Sequence, residues 1–476
     1  MKRSAGVLMH VSSLPGEYSI GSFGKEAKAF IDLLADSGFG YWQVLPFGVT
    51  DEYHSPYKAY SAFAGNPYFI DLPTLAHDGL LSEDELLAAR QETPYLCEFE
   101  RLSRERLVLL RAAASRFSSW DAVGEFILAN PAIEEFCRFM AIRDSQGDRP
   151  WSEWQDESYK EEDLRFWQFV QHTFFTQWQK IKSYANEKGV KLIGDIPIYL
   201  SYDSADVWAH RDLFLLDEAG RPECVAGVPP DYFSEEGQLW GNPLYHWARM
   251  RRDGYAFWCE RLRHMLTLFD GVRIDHFRGL ESYWSVPYGA KSAKEGQWKK
   301  GPGKALIRKL REVADGKLII AEDLGDVDER VEALRSYSGF PGMKVLQFAF
   351  LGDVNSPHLP HNYSENCVAY SGTHDNNTLL GFMWEESEEN RRRILSYCGF
   401  GGEDWNRGYD SILKTLWRSA AGLVIVPIQD LLGYGADTRM NTPGVAEGNW
   451  QYRVTSEQLA GLDREKLLAY NTVFGR

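Results

Sequence analysis

The stretch Gly271-Val272-Arg273-Ile274-Asp275-His276-Phe277-Arg278 opens as a buried strand and ends in charge. Side chains alternate along a strand, so Arg273 and Asp275 share one face while Val272 and Ile274 take the other. Two opposite charges at the end of a buried strand are costly unless they are paired or used. One reading is a structural ion pair plugging the end of a barrel. The other is a carboxylate held ionised by its arginine, because a nearby positive charge favours the charged form.

Other apolar runs extend the pattern on both sides. Gly6–Met9, Tyr41–Leu45 and Lys191–Ile196 precede Gly271–Asp275, and Lys317–Ala321, Met343–Phe348, Cys367–Ser371 and Leu423–Val426 follow it. Helical periodicity falls between them. Lys25–Ser37 sets Ala27, Phe30, Ile31 and Leu34 on one face, and Trp167–Ala185 and Tyr255–Leu268 read the same way. Further helices are expected at Lys304–Val313, Asp328–Ser336 and Glu388–Ser396. Eight strands with intervening helices predict an α/β fold, a parallel (β/α)8 TIM barrel filling residues 1–476, with an open doubly wound sheet as the alternative. Two connections exceed ordinary loops. Residues 73–165 carry helical pattern at Ser82–Gln91 and Glu100–Phe117 and read as an inserted helical subdomain. Residues 197–250 are rich in Pro, Gly, Trp and Tyr, show little periodicity, and read as an inserted loop subdomain. In a barrel both rise from the C-terminal face, where active sites form.

Composition narrows the function. Lys and Arg number 52 against 68 Asp and Glu, a net charge of −16 that argues against nucleic acid or an anionic membrane as partner. No glycine-rich phosphate loop is present. Six scattered cysteines form no CxxC motif and predict reduced thiols in the cytoplasm. Met1-Lys2-Arg3 with the apolar run after it superficially resembles a signal peptide, but Gly6 and His10 interrupt it and a first core strand is the better reading. No stretch approaches the ~20 apolar residues of a membrane-spanning helix.

Three strand ends finish in an acid: Asp275, Glu322 and Asp375. One such acid is usually a helix cap or a plug. Three of them, with Arg273 and His374 alongside, suit acid/base work, because repulsion and burial separate their pKa values. A divalent metal is the rival, disfavoured by an arginine in the same mouth. Glycosyl transfer needs one carboxyl as nucleophile or base and one as acid, ~5–5.5 Å apart for retention or ~6.5–9.5 Å for inversion. Aromatic residues reach 14%. Tyr53, Tyr57, Tyr60, Tyr232 and Trp240 fall in mouth loops, where flat rings with a polar edge suit sugars.

Long words in the sequence carry a resemblance. They include Ser55-Pro56-Tyr57, Ser61-Ala62-Phe63-Ala64-Gly65-Asn66-Pro67-Tyr68, Asp203-Ser204-Ala205-Asp206-Val207-Trp208, Gly237-Gln238-Leu239-Trp240-Gly241-Asn242-Pro243, Arg273-Ile274-Asp275-His276-Phe277-Arg278, Ala321-Glu322-Asp323-Leu324-Gly325, Thr373-His374-Asp375 and Arg439-Met440-Asn441-Thr442-Pro443-Gly444. With them the chain closely resembles the amylomaltase, or 4-α-glucanotransferase, family of the α-amylase clan, nearly end to end. The resemblance implies a retaining enzyme that moves α-1,4-glucan segments between maltooligosaccharides, without cofactor or metal. It implies that Asp275 is the nucleophile, Glu322 the acid/base and Asp375 the stabilising third carboxylate. Sugar contacts are implied for Ser55, Tyr57, Gln238, Trp240, Arg273, Asp323, His374 and Asn441. It also implies a flexible lid at Val225–Trp240 and an opposite rim near Asn441. An α-glucan hydrolase or a non-catalytic glucan-binding protein could use the same scaffold.

Overall fold

Val272 and Ile274 are fully buried on the outer face of their strand, while Arg273 points inward. The computed structural model, which describes residues 2–230, 235–402 and 404–476, places that strand in a closed barrel. In chain order the strands are β1 (Ser4–Leu8), β2 (Tyr41–Gln43), β3 (Lys191–Ile196), β4 (Cys224–Val228), β5 (Gln238–Pro243), β6 (Gly271–Ile274), β7 (Ser282–Pro287), β8 (Gln297–Lys300), β9 (Leu318–Ala321), β10 (Gly342–Val345), β11 (Cys367–Tyr370) and β12 (Leu423–Pro427). The barrel runs β1-β12-β11-β10-β9-β6-β3-β2, every neighbour parallel. It closes where β1 meets β12, with Ser4 opposite Leu423 and Leu8 opposite Pro427.

Alternation divides the apolar residues into two cores. Leu8, Ile193, Ile320, Val345, Val368, Tyr370 and Ile425 fill the interior. Val7, Trp42, Leu192, Val272, Ile319 and Val424 face outward and join the helices in a second, larger core. The long helix Glu161–Glu187 buries Phe174, Trp178 and Ile181 against that outer surface. Toward the C-terminal end the interior turns polar. The Tyr370 hydroxyl donates to Gln43 Oε1 at 2.9 Å, and Arg273 lies across the barrel below the mouth.

Within 73–165 the chain forms helices Glu83–Ala88, Phe99–Arg116, Trp120–Ala129 and Pro131–Ser145. A capping box from Ser82 and Glu85 starts the first. Buried Arg106 ties the second to barrel loops, donating to the carbonyls of Tyr68 (2.9 Å), Ile70 (3.2 Å) and Tyr18 (2.7 Å).

The segment 197–250 departs from the loop expected of it. It contributes β4 and β5 to a four-stranded antiparallel sheet, order β5-β4-β7-β8, whose other half follows β6. Pattern reading missed that sheet because β8 is exposed along its whole length and ends in two lysines. Such charge blunts an open edge and erases the apolar alternation that marks a strand. The predicted sixth strand also shortens. It stops at Val345, and Leu346–Ala349 turns helical.

Candidate active site

Parallel strands point all their carboxyl ends to one mouth. Asp275 follows β6 directly, Glu322 follows β9, and Asp375 sits in the loop after β11. Lateral backbone bonds carry the sheet pattern past the strand ends. Asp275 N–H donates to Ile196 O at 3.0 Å, Glu322 N–H to Ile274 O at 3.0 Å, and Phe277 N–H to Glu322 O at 2.9 Å. Both carboxyl-bearing residues are therefore fixed by their main chains.

Arg273 spans two acids, one Nη reaching Asp275 Oδ1 at 2.8 Å and the other Asp195 Oδ2 at 2.6 Å. Burial disfavours the guanidinium charge, yet Asp195 and Asp275 outweigh it and hold the group more firmly protonated than usual. Asp195 was missed as a site residue by sequence reading. Its signal was available, since it is an acid inside the apolar run of β3 and pairs in register with Arg273. Tyr57 completes the chain. Burial, then the Asp195 charge, keeps its phenol protonated, and its hydroxyl donates to Asp195 Oδ2 at 2.8 Å.

Glu322 is 9% exposed. Burial first and the Asp275 charge second push its carboxyl up to about 7, against the pull of Arg273 and two backbone donors. Those donors are His276 N–H on Oε2 and Leu324 N–H on Oε1, each at 2.7 Å. His276 reaches its position in the left-handed region, φ 48°, a conformation that costs a residue with a Cβ about 1–2 kcal/mol. Burial lowers its imidazole to about 4, so the ring is neutral beside Asp275.

Asp375 Oδ1 accepts from Asn441 Nδ2 at 2.6 Å, and His374 Nε2 lies 3.3 Å from Oδ2. The Tyr57 and His374 rings stack at 5.1 Å, and Trp450, also missed from sequence, leans on both. Across the mouth, Trp240 on β5 meets the His276 ring edge-on at 4.9 Å and donates to Gln238 Oε1 at 3.0 Å. Ser55 shapes the turn into Tyr57, its Oγ accepting from Tyr57 N–H at 3.4 Å.

Asp323 departs from its expected place as a sugar contact. Alternation turns it away from Glu322, and its carboxylate accepts from Met343 N–H at 2.7 Å and pairs with Arg335 at 2.9 Å on the outer helix Glu329–Ser338. Tyr232 lies outside the described residues. Among the described residues, no three His, Cys, Asp or Glu side chains converge as metal ligands.

A barrel mouth with one carboxyl near neutrality, one aspartate paired to a buried arginine and an aromatic rim defines an enzyme that works on glycosidic bonds. A family model described as 4-alpha-glucanotransferase matches residues 9–459. The chain is 41% identical to a 4-alpha-glucanotransferase of Clostridium butyricum, covering 98% of this chain and 100% of that one. It is 41% identical to one of Thermus thermophilus, covering 97% and 96%. Its fold matches the amylomaltase of Streptococcus agalactiae, solved in complex with acarbose, with a TM-score of 0.96 at 36% identity and complete coverage of both chains. The chain belongs to the 4-alpha-glucanotransferase family.

Proposed function

We propose that this mouth transfers α-1,4-glucan segments between maltooligosaccharides by a retaining double displacement, with Asp275 as nucleophile and Glu322 as acid/base. The observation that carries the assignment is the Glu322 carboxyl raised to about 7 beside an aspartate that Arg273 grips. An Asp275 oxygen attacks C1 of the donor glucose, the C1–O4 bond breaks, and the Glu322 proton goes to the departing O4. The glycosyl ester so formed is opened by the 4-hydroxyl of an acceptor glucan, whose proton returns to Glu322. Arg273 orients Asp275. Asp375, steadied by Asn441, accepts hydrogen bonds from ring hydroxyls of the reacting glucose and favours its distorted, oxocarbenium-like form.

Tyr57 and His374 supply one aromatic wall, and Gln238 and Trp240 the other. Ser55 and Asn441 sit on the rims. The segment Val225–Trp240, of which residues 231–234 lie outside the described residues, acts as the lid, keeping water from the ester so that a sugar hydroxyl attacks instead. No cofactor enters any step. Six free thiols, five of them buried, support a reducing compartment, the cytoplasm. The chains it acts on there would derive from starch or glycogen.

Incubation with maltotriose tests the reading. Glucose and longer oligomers should appear with almost no gain in reducing ends, whereas a steady gain in reducing ends means hydrolysis. Asp275→Ala should abolish this disproportionation by several orders of magnitude while leaving the thermal unfolding midpoint in place. Near-normal turnover removes Asp275 from the chemistry.

A further inference from the structure

Two described tryptophans are more than a third exposed, Trp298 at 40% and Trp384 at 54%. The Trp298 ring is already covered, with the Arg278 guanidinium 4.0 Å from its centre and Trp284 at its edge. Trp384 has no cation or ring partner among the described residues. It ends the helix Leu379–Glu385, which follows the β11 loop carrying Asp375. The turn it leans on, Tyr434 to Thr438, follows β12 and leads directly into Asn441. Both elements hang from neighbouring strands at the face that carries the three carboxylates.

The indole is braced rather than loose. Its six-membered edge rests on the backbone of Gly435, where a Cβ would lie 2.6 Å from Cζ3 and 3.0 Å from Cη2. Arg391 fixes the backbone beneath it, donating to the carbonyls of Met383 (3.3 Å), Trp384 (3.4 Å) and Glu386 (2.8 Å). One face of a large apolar ring is thus held rigidly toward water, which a folded chain otherwise avoids. The Asp437 carboxylate flanks it, Oδ1 lying 3.1 Å from the same Cβ position on Gly435. That carboxylate has no hydrogen-bond partner among the described residues. Continuity with the catalytic rim is direct, since Arg439, two residues beyond Asp437, donates to the carbonyls of Asp375 (2.6 Å) and Asn441 (2.7 Å).

We propose that Trp384, with Asp437, forms a docking platform for distant glucose units of a long α-1,4-glucan whose reacting end lies in the cleft. The indole covers the C–H face of one glucose while Asp437 accepts hydroxyls from its edge. This rests on the glucan-transfer reading, and it adds a binding place outside the catalytic mouth. A short oligosaccharide cannot occupy both places, whereas a long chain can, so the platform raises the effective concentration of long substrates at the cleft.

The test compares chain lengths. In Trp384→Ala, kcat/KM on amylose should fall about tenfold relative to the same variant's value on maltotriose. Gly435→Ala, which displaces the ring without removing it, should show the same selective loss, and Trp384→Phe should recover most of it. In native gels containing amylose, Asp275→Ala should be retarded, and Asp275→Ala/Trp384→Ala should migrate faster. Equal losses on both substrates, or no loss with unaltered gel mobility, overturn the platform. Maltotriose disproportionation by the unmodified protein reads the cleft alone. Its absence alongside Trp384-dependent gel retardation would remove the transfer reading and leave the platform standing.

Discussion

Glu322 sits between two demands, and its surroundings favour one form in each half of the reaction. Its ordinary value lies near the carboxylate range, and burial together with the Asp275 charge raises it to about 7. Below that pH the residue is protonated and can deliver its proton to a departing sugar; above it that proton is gone. For maltooligosaccharide donors kcat/KM should therefore fall as pH rises through about 7. A maltosyl fluoride donor, whose fluoride leaves without a proton, should lose this limb. If the limb persists with the fluoride, another group causes it. At this scale the sequence shows the acids that follow strands and Arg273 beside one of them, but not the acid buried inside β3. Asp275 and Glu322 stand out because each follows directly on an apolar strand, and Asp375 because it lies in the polar loop that leaves β11. Asp195 lies one residue from the end of β3 and was absorbed into it, although it grips the same arginine as Asp275. Asp323 reads as a pair with its neighbour Glu322, but just past β9 the two carboxylates turn to opposite sides of the barrel wall.

At the scale of elements, the strands that build the barrel were legible because both of their faces are apolar, giving continuous runs. The antiparallel sheet was not, since β8 is wholly exposed and β5 is largely so. Its strands are specified by partners far along the chain rather than by their own pattern. Within the barrel, close approach matters more than hydropathy. Gly194 on β3 faces the ring of Phe269, and a Cβ there would lie 2.3 Å from Cδ2. Phe269 cannot retreat easily, because Trp178 at 5.5 Å and Phe47 at 5.3 Å stand against it. Gly194→Ala should destabilise the protein by about 1–3 kcal/mol through overpacking. A denaturant midpoint equal to that of the unmodified protein would show that the wall yields.

For the whole molecule, burial of neutral histidines sets a response to acid. His264 packs between Phe63 and Phe175 and is lowered by burial to about 4. Its unfolded pKa lies near 6.5, so between these values the unfolded chain binds the extra proton and stability falls as pH falls. Between pH 7 and pH 5 this one group should remove ~1–2 kcal/mol. His10, His276 and His358, lowered to about 3, 4 and 4, act in the same direction. Glu322, Asp206 and Asp430, raised to about 7, 6 and 6, act oppositely, losing stability as pH climbs through those values. The test is a difference. His264→Phe should lose less unfolding temperature than the unmodified protein when pH drops from 7 to 5. An unchanged drop would mean that His264 is protonated in the fold.

The pairing of β1 with β12 has a temporal meaning as well. The two strands that seal the ring stand at residues 4–8 and 423–427, far apart along the chain. A chain growing on the ribosome makes β1 long before β12, and the six intervening barrel strands must all emerge before β1 finds its second neighbour. Until then β1 and β11 each present an unpaired edge, the kind of edge that recruits other chains. Nascent or nonsense-truncated molecules ending before residue 423 should accordingly depend on chaperones or aggregate, and the sealing step should be late and slow in refolding.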